Sequence, residues 1–177
     1  MSDQRNWLER LGDKIPGYSG YVEKERRRDV DKLHREHLAD RLRATKQPVS
    51  DFVRELSATG RLFEVGPLDR VSKKIDQIEN RVRFASYGYA GFFDVVKVRE
   101  AELDRLYRFD LDLVEKVEEL ERQAQSLAER GASPEGLKQA AAEVERAADD
   151  LNRTFDERYR AIENFRPDGD QGRPMFS

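Results

Sequence analysis

Charged side chains make up 39 % of this 177-residue chain and the hydrophobic set 37 %, a lean core under a heavily solvated surface. Long helices with one narrow apolar stripe have that balance, whereas β-sandwiches and doubly wound sheets do not. The absence of cysteine excludes disulfides, thiolate zinc sites and a cysteine nucleophile together, and the length allows one domain or one elongated bundle.

The net charge of −3 hides an asymmetry: residues 1–99 carry 21 Lys+Arg against 16 Asp+Glu, and residues 100–164 carry 10 against 18. Two readings follow. The basic half can serve a nucleic-acid or anionic lipid surface, or the two halves can pack against each other. No run approaches the roughly eighteen apolar residues of a membrane span, and the N-terminus lacks the apolar core of a signal peptide. Ser2 after Met1 and the lack of cysteine argue against lipidation. These features together predict a cytoplasmic protein.

Trp7, Leu8, Leu11 and Ile15 share one face of a short helix that Pro16-Gly17 stops. Its polar face mixes Arg5, Glu9, Arg10 and Asp13, without the basic excess that selects anionic lipid, so it is expected to dock on the end of the bundle. After Tyr18 to Tyr21, residues 22–46 form a polar helix with a thin stripe of Val30, Leu33, His37 or Leu38, and Leu42. Pro48 is expected to restart a shorter helix to about Thr59, with Gly60 as its stop.

Pro67 opens the next helix, whose apolar residues Leu68, Val71, Ile75, Ile78, Val82 and Ala85 alternate in threes and fours. The segment from Phe84 to Phe93, rich in rings and interrupted by Gly88 and Gly91, suits the end of a bundle. The same seven-residue repeat governs 99–130 through Leu103, Leu106, Asp110, Leu113, Val117, Leu120, Ala124 and Leu127. Gly131-Ala-Ser133-Pro134 then reads as a stop and restart, with Gly131 in the left-handed position, Ser133 capping and Pro134 in the first turn. The last helix, 134–164, carries Leu137, Ala141, Val144, Ala148, Leu151, Phe155 and Ile162 on its seam, and a turn-rich tail follows.

One residue in each long C-terminal helix breaks its seam. Asp110 stands where a leucine belongs, and the step of three after Phe155 lands on Arg158. Matching Leu127 with Leu137 across an antiparallel hairpin sets Asp110 opposite Thr154, with Arg158 one turn further on. A buried ion pair that fixes register is the expected role; a polar pocket for a ligand or a proton is the alternative.

His34 and His37, spaced i,i+3 beside Glu36 and Asp40, match neither the metalloprotease spacing nor the Glu-x-x-His motif of di-iron bundles, so no metal site is assigned. Acidic neighbours interrupt the Arg26-Arg27-Arg28 run and oppose phosphate binding. Gly88-x-x-Gly91 lacks the lysine and preceding strand of a phosphate loop. No catalytic residue and no cofactor is assigned.

Residues 15–42, beginning Ile-Pro-Gly-Tyr-Ser-Gly-Tyr-Val-Glu-Lys-Glu, and residues 83–94, Arg-Phe-Ala-Ser-Tyr-Gly-Tyr-Ala-Gly-Phe-Phe-Asp, resemble segments of small uncharacterised bacterial helical proteins. The resemblance implies a bacterial origin and a shared fold, and brings no activity or site residue with it.

The expected fold is all-α, an elongated antiparallel helical bundle with a long C-terminal hairpin. Its parts are N-terminal helices over 1–66 laid on the bundle, a three-helix core over 67–165 and a flexible tail over 166–177. The expected function is a non-enzymatic scaffold or adaptor that binds a protein partner or a second copy of itself. A regulator that sets its basic N-terminal part on nucleic acid or on an anionic membrane surface is the alternative.

Overall fold

A computed structural model describes residues 9–16, 27–85 and 100–164. Among them the chain is all-α, and its helices pack as a bundle. They are α1 (residues 9–14), α2 (Arg27–Ala58), α3 (Gly66–Phe84), α4 (Glu100–Gln125), the single turn α5 (Leu127–Arg130) and α6 (Pro134–Asn164), with a 3-10 turn at Leu62–Glu64. The expected aromatic stretch 86–93, the tail beyond Asn164, Trp7 and Leu8, and the side chains of Arg26 to Arg28 and of Leu103 lie outside the described residues.

Two antiparallel hairpins, α2–α3 and α4–α6, lie side by side with like helices parallel. Arg70 meets Glu145, Lys74 meets Asp149 and Arg81 meets Asp156, a constant shift of 75 residues that holds α3 parallel to α6. Arg41 meets Glu118 and Glu121 along the parallel pair α2 and α4. Within each hairpin the order reverses, as Lys46 to Asp76 and Arg83 to Asp40 show in the first and Arg130 to Glu143 in the second. The packing makes α2 the fourth member of the bundle. Its Leu38, Leu42, Val49, Phe52 and Leu56 are buried in the same core as Leu68 to Val82, Leu113 to Leu127 and Leu137 to Phe155.

Every described member of the three heptad seams is buried apart from Ala85, which packs half-buried at its edge. The parallel pairs also account for the charge asymmetry. Arg10 binds Glu115, Lys14 binds Glu118 at 2.5 Å, and Arg41, Arg70, Lys74 and Arg81 all take acidic partners from the C-terminal half. The first two hold α1 against the middle of α4, with Leu11 and Ile15 buried beneath it, rather than at the bundle end where sequence reasoning set it. Single exposed pairs contribute about 0–1 kcal/mol each, so their role is to match the surfaces more than to hold them.

Pro48 does not restart a helix; it lies inside α2, which runs unbroken for 32 residues. Proline in a helix interior removes one backbone bond and crowds the preceding turn. Side chains on both sides of it, Leu38 and Leu42 before and Val49 and Phe52 after, are buried in one core, and this packing favours a continuous axis. Pro48→Ala is therefore expected to stabilise the fold by about 1–2 kcal/mol, the helix penalty of proline less its restriction of the unfolded chain. Chemical denaturation of the two proteins measures it.

The two turns at the far end use glycine differently. Gly60, with φ of 78°, ends α2 in the left-handed conformation: its N–H donates to the Ser57 carbonyl, and that of Arg61 reaches back to Leu56 at 2.8 Å. Gly131 has φ of −89° and is not left-handed, contrary to the sequence expectation. It is small because Phe52 crosses it. A Cβ there would stand 2.7 Å from the Leu127 carbonyl oxygen and from two carbons of the Phe52 ring. Gly131→Ala should thus cost about 1–3 kcal/mol by overpacking, despite alanine's better helix propensity, and a thermal melt checks the sign. Ser133 caps α6 as expected, its Oγ accepting the Gly136 N–H at 3.1 Å.

Candidate functional site: a buried charge cluster

The bundle end at which α2 and α4 begin and α3 and α6 finish contains a group of buried charges. Arg158 comes from the last two turns of α6 and is 1 % exposed. Its Nε donates to Asp110 Oδ1 at 2.5 Å on α4, its hairpin partner. Its Nη2 donates to Asp31 Oδ1 at 2.9 Å on α2, diagonally across the core. The other oxygen of Asp31 accepts Arg35 Nε at 2.8 Å, and Arg35 Nη1 reaches the Arg83 carbonyl at the end of α3. Arg83 continues outward to Glu79 and Asp40.

The structure thus brings Asp110 and Arg158 together one turn beyond the alignment that sets Asp110 opposite Thr154, which is buried nearby. It also adds partners that sequence reasoning missed: Asp31, His34 and Arg35, all from α2. A signal for them exists. Asp31, His34, Leu38, Leu42, Thr45, Val49, Phe52 and Leu56 follow one another at threes and fours, straight through Pro48, and all eight are buried. Of the stripe read as Val30, Leu33, His37 or Leu38, and Leu42, the residues Leu38 and Leu42 belong to that seam, Val30 is buried, and Leu33 and His37 lie half-buried.

His34 is completely buried beside the pair. Its Nε2–H donates to the Asp110 backbone carbonyl at 3.0 Å, which assigns the tautomer and leaves Nδ1 as a lone pair. That Nδ1 lies 3.6 Å from Asp110 Oδ1 and has no hydrogen-bond partner. Burial pushes the His34 pKa below its ordinary value; the Asp110 carboxylate opposes the shift and the Arg158 guanidinium adds to it. His37, half-buried, is also shifted down, first by burial and then by Arg41.

Among the described residues no group of His, Asp and Glu side chains has the disposition of a metal site, and His34 and His37 do not converge on one. Asp31 and Asp110 each carry one negative charge and Arg35 and Arg158 each one positive, so with His34 neutral the inner cluster is neutral. Its hydrogen bonds join α2, α4 and α6, and Arg35 extends them to the end of α3. Sliding α6 by one heptad would carry Arg158 away from both carboxylates: Asp31 would keep Arg35, but Asp110 and Arg158 would lose the pairing that the observed register gives them. No family model, curated protein or solved structure matches the chain.

Proposed function

We propose that this chain is a non-enzymatic helical scaffold or adaptor of the bacterial cytoplasm, acting through contacts with a protein partner. The observation that carries the reading is the exposure of Leu62 and Phe63 on the tight turn between α2 and α3, where the Phe63 ring is fully solvent-exposed. Arg61 anchors that turn, binding Glu64 through two nitrogens and the Gly131 carbonyl at 3.0 Å. A rigid turn presenting two adjacent apolar side chains provides an anchor for a complementary pocket. Phe84, also exposed, offers a lesser contact at the opposite end.

The buried charge cluster supports a structural role over a catalytic one, since its described members bind one another. Pairing of Arg10, Lys14, Arg41, Arg70, Lys74 and Arg81 with carboxylates of the C-terminal half weakens the motive for a nucleic-acid or membrane surface on these residues. Among the described residues no helix is long and apolar enough to cross a membrane.

A photo-crosslinking residue at position 58, exposed at the end of α2 beside the turn, tests the proposal in the source cell. A discrete adduct with one protein, lost in a Leu62→Ser/Phe63→Ser protein whose stability changes by less than about 0.5 kcal/mol, is the expected result. An adduct with itself identifies a second copy as the partner. The absence of any adduct, or salt-sensitive binding to DNA or anionic vesicles unaffected by the double substitution, overturns it.

A further inference from the structure

The neutral state of His34 is poorly matched to its position, and that mismatch has a direction. With Nε2–H committed to the Asp110 carbonyl, the Nδ1 lone pair faces a carboxylate oxygen 3.6 Å away, acceptor against acceptor. A proton from solvent would make Nδ1 a donor to that oxygen. Asp110 Oδ1, however, already accepts Arg158 Nε at 2.5 Å, so the new donor would share that oxygen and place a second cation beside the guanidinium that ties α6 to α4.

Among the described residues, charged and titratable groups face His34 from each helix packed at this end. From α2 come Asp31 and Arg35, with His37 one turn along; from α4 comes Asp110; from α6 comes Arg158; and from α3, Glu79 and Arg83 lie beyond Arg35. The inner four sum to zero, and an imidazolium adds one positive charge to them, with no further carboxylate among the described residues of the inner group. Burying an unbalanced charge is costly, and the available relief is to let water into this end of the bundle.

We propose that His34 is an acid-responsive switch whose protonation loosens the end of the bundle where α2, α4 and α6 meet, while the Gly60 and Gly131 end stays closed. Loosening acts on the cluster that holds the hairpins in register.

The sign follows from the depressed pKa. Above the unfolded-chain value of about 6.5, His34 is neutral whether the end is open or closed, and its contribution to stability is complete. As the pH falls below that value, the open form takes up the proton first, and stability is lost progressively down to the folded pKa.

Hydrogen exchange of the full chain at pH 7.5 and 5.5, expressed as protection factors, reads this directly. Protection across 31–38, 107–114 and 154–161 should fall by up to about tenfold between the two pH values, the ratio expected for one group titrating near 6.5 only in the open form. Protection around Phe52, Leu127 and Leu137 should hold. His34→Gln keeps an amide donor for the Asp110 carbonyl and cannot be protonated, so its protection should be level across the range; His37→Gln should behave as wild type. A fall that persists in His34→Gln, or that is uniform along the bundle, overturns the proposal. Nitrogen-15 spectra of the wild-type imidazoles give a readout independent of any variant. The expected result is the Nε2–H tautomer with a titration below 6.5, and an Nδ1–H tautomer or a titration at or above 6.5 overturns the switch.

Discussion

Arg158→Met should destabilise the protein by about 3–5 kcal/mol, the usual cost of removing one member of a buried ion pair. Methionine fills much of the volume of the arginine stem, so packing accounts for little of the loss. What remains is electrostatic. Asp110 loses its Nε donor and Asp31 its Nη2 donor, and two carboxylates are left in a core position that water does not reach. Arg35 still serves Asp31, but among the described hydrogen bonds no other guanidinium reaches Asp110. Denaturant unfolding monitored by circular dichroism measures the change. A loss below about 1 kcal/mol would mean that the guanidinium reaches solvent and behaves as a surface charge.

Phe52→Ala should cost a similar amount, about 3–5 kcal/mol, by opening a cavity at the other end of the bundle. Phe52 is 2 % exposed, and its ring crosses Gly131 at the turn between α5 and α6, so it packs one hairpin onto the other where the cluster does not extend. The effect distinguishes an α2 that is an integral part of the core from one laid over a complete three-helix unit, for which truncating a single ring would cost far less. It also predicts a coupling. Gly131→Ala is harmful because the ring is there, so in the Phe52→Ala background the added methyl group should be neutral or stabilising. Additivity of the two substitutions would contradict the close approach.

The two ends therefore hold the hairpins together by different physics, apolar interlocking at Phe52 and Gly131 and paired charges at Arg158. Hydrophobic packing tolerates a slide of one heptad, because leucine replaces leucine along such seams. A carboxylate paired with a guanidinium does not tolerate it. The lean core of the chain makes this division useful: the apolar seams supply the bulk of the stability, and the cluster removes the ambiguity that their regularity leaves.

Much of this architecture is written in the spacing of apolar residues. The seams of α3, α4 and α6 are clean, so Leu68 to Val82, Leu106 to Leu127 and Leu137 to Ile162 identify their buried faces without further help. Asp110 and Arg158 are visible because each interrupts such a seam. Asp31 is not, since it lies among Asp29, Lys32 and Glu36 in a helix too polar to have an obvious stripe, where one more carboxylate is unremarked. Only the continuous spacing from Asp31 through Thr45 to Leu56 exposes it, and Pro48 conceals that continuity by invoking a local rule that packing on both sides overrides. Gly131 was legible as a stop but not in its cause, because a ring arriving from residue 52 leaves no trace in the local sequence. The His34 tautomer depends on a carbonyl 76 residues away and had no sequence signal at all.

The direct test that the cluster is a coupled unit is a double-mutant cycle between Asp110→Leu and Arg158→Met, which leaves the Asp31–Arg35 pair in place. Each single substitution should destabilise by several kcal/mol, while the double should recover to within about 1–2 kcal/mol of wild type, for a coupling energy of at least ~2 kcal/mol. A coupling energy near zero, with the two losses simply adding, would contradict the pairing and with it the register these charges are held to set.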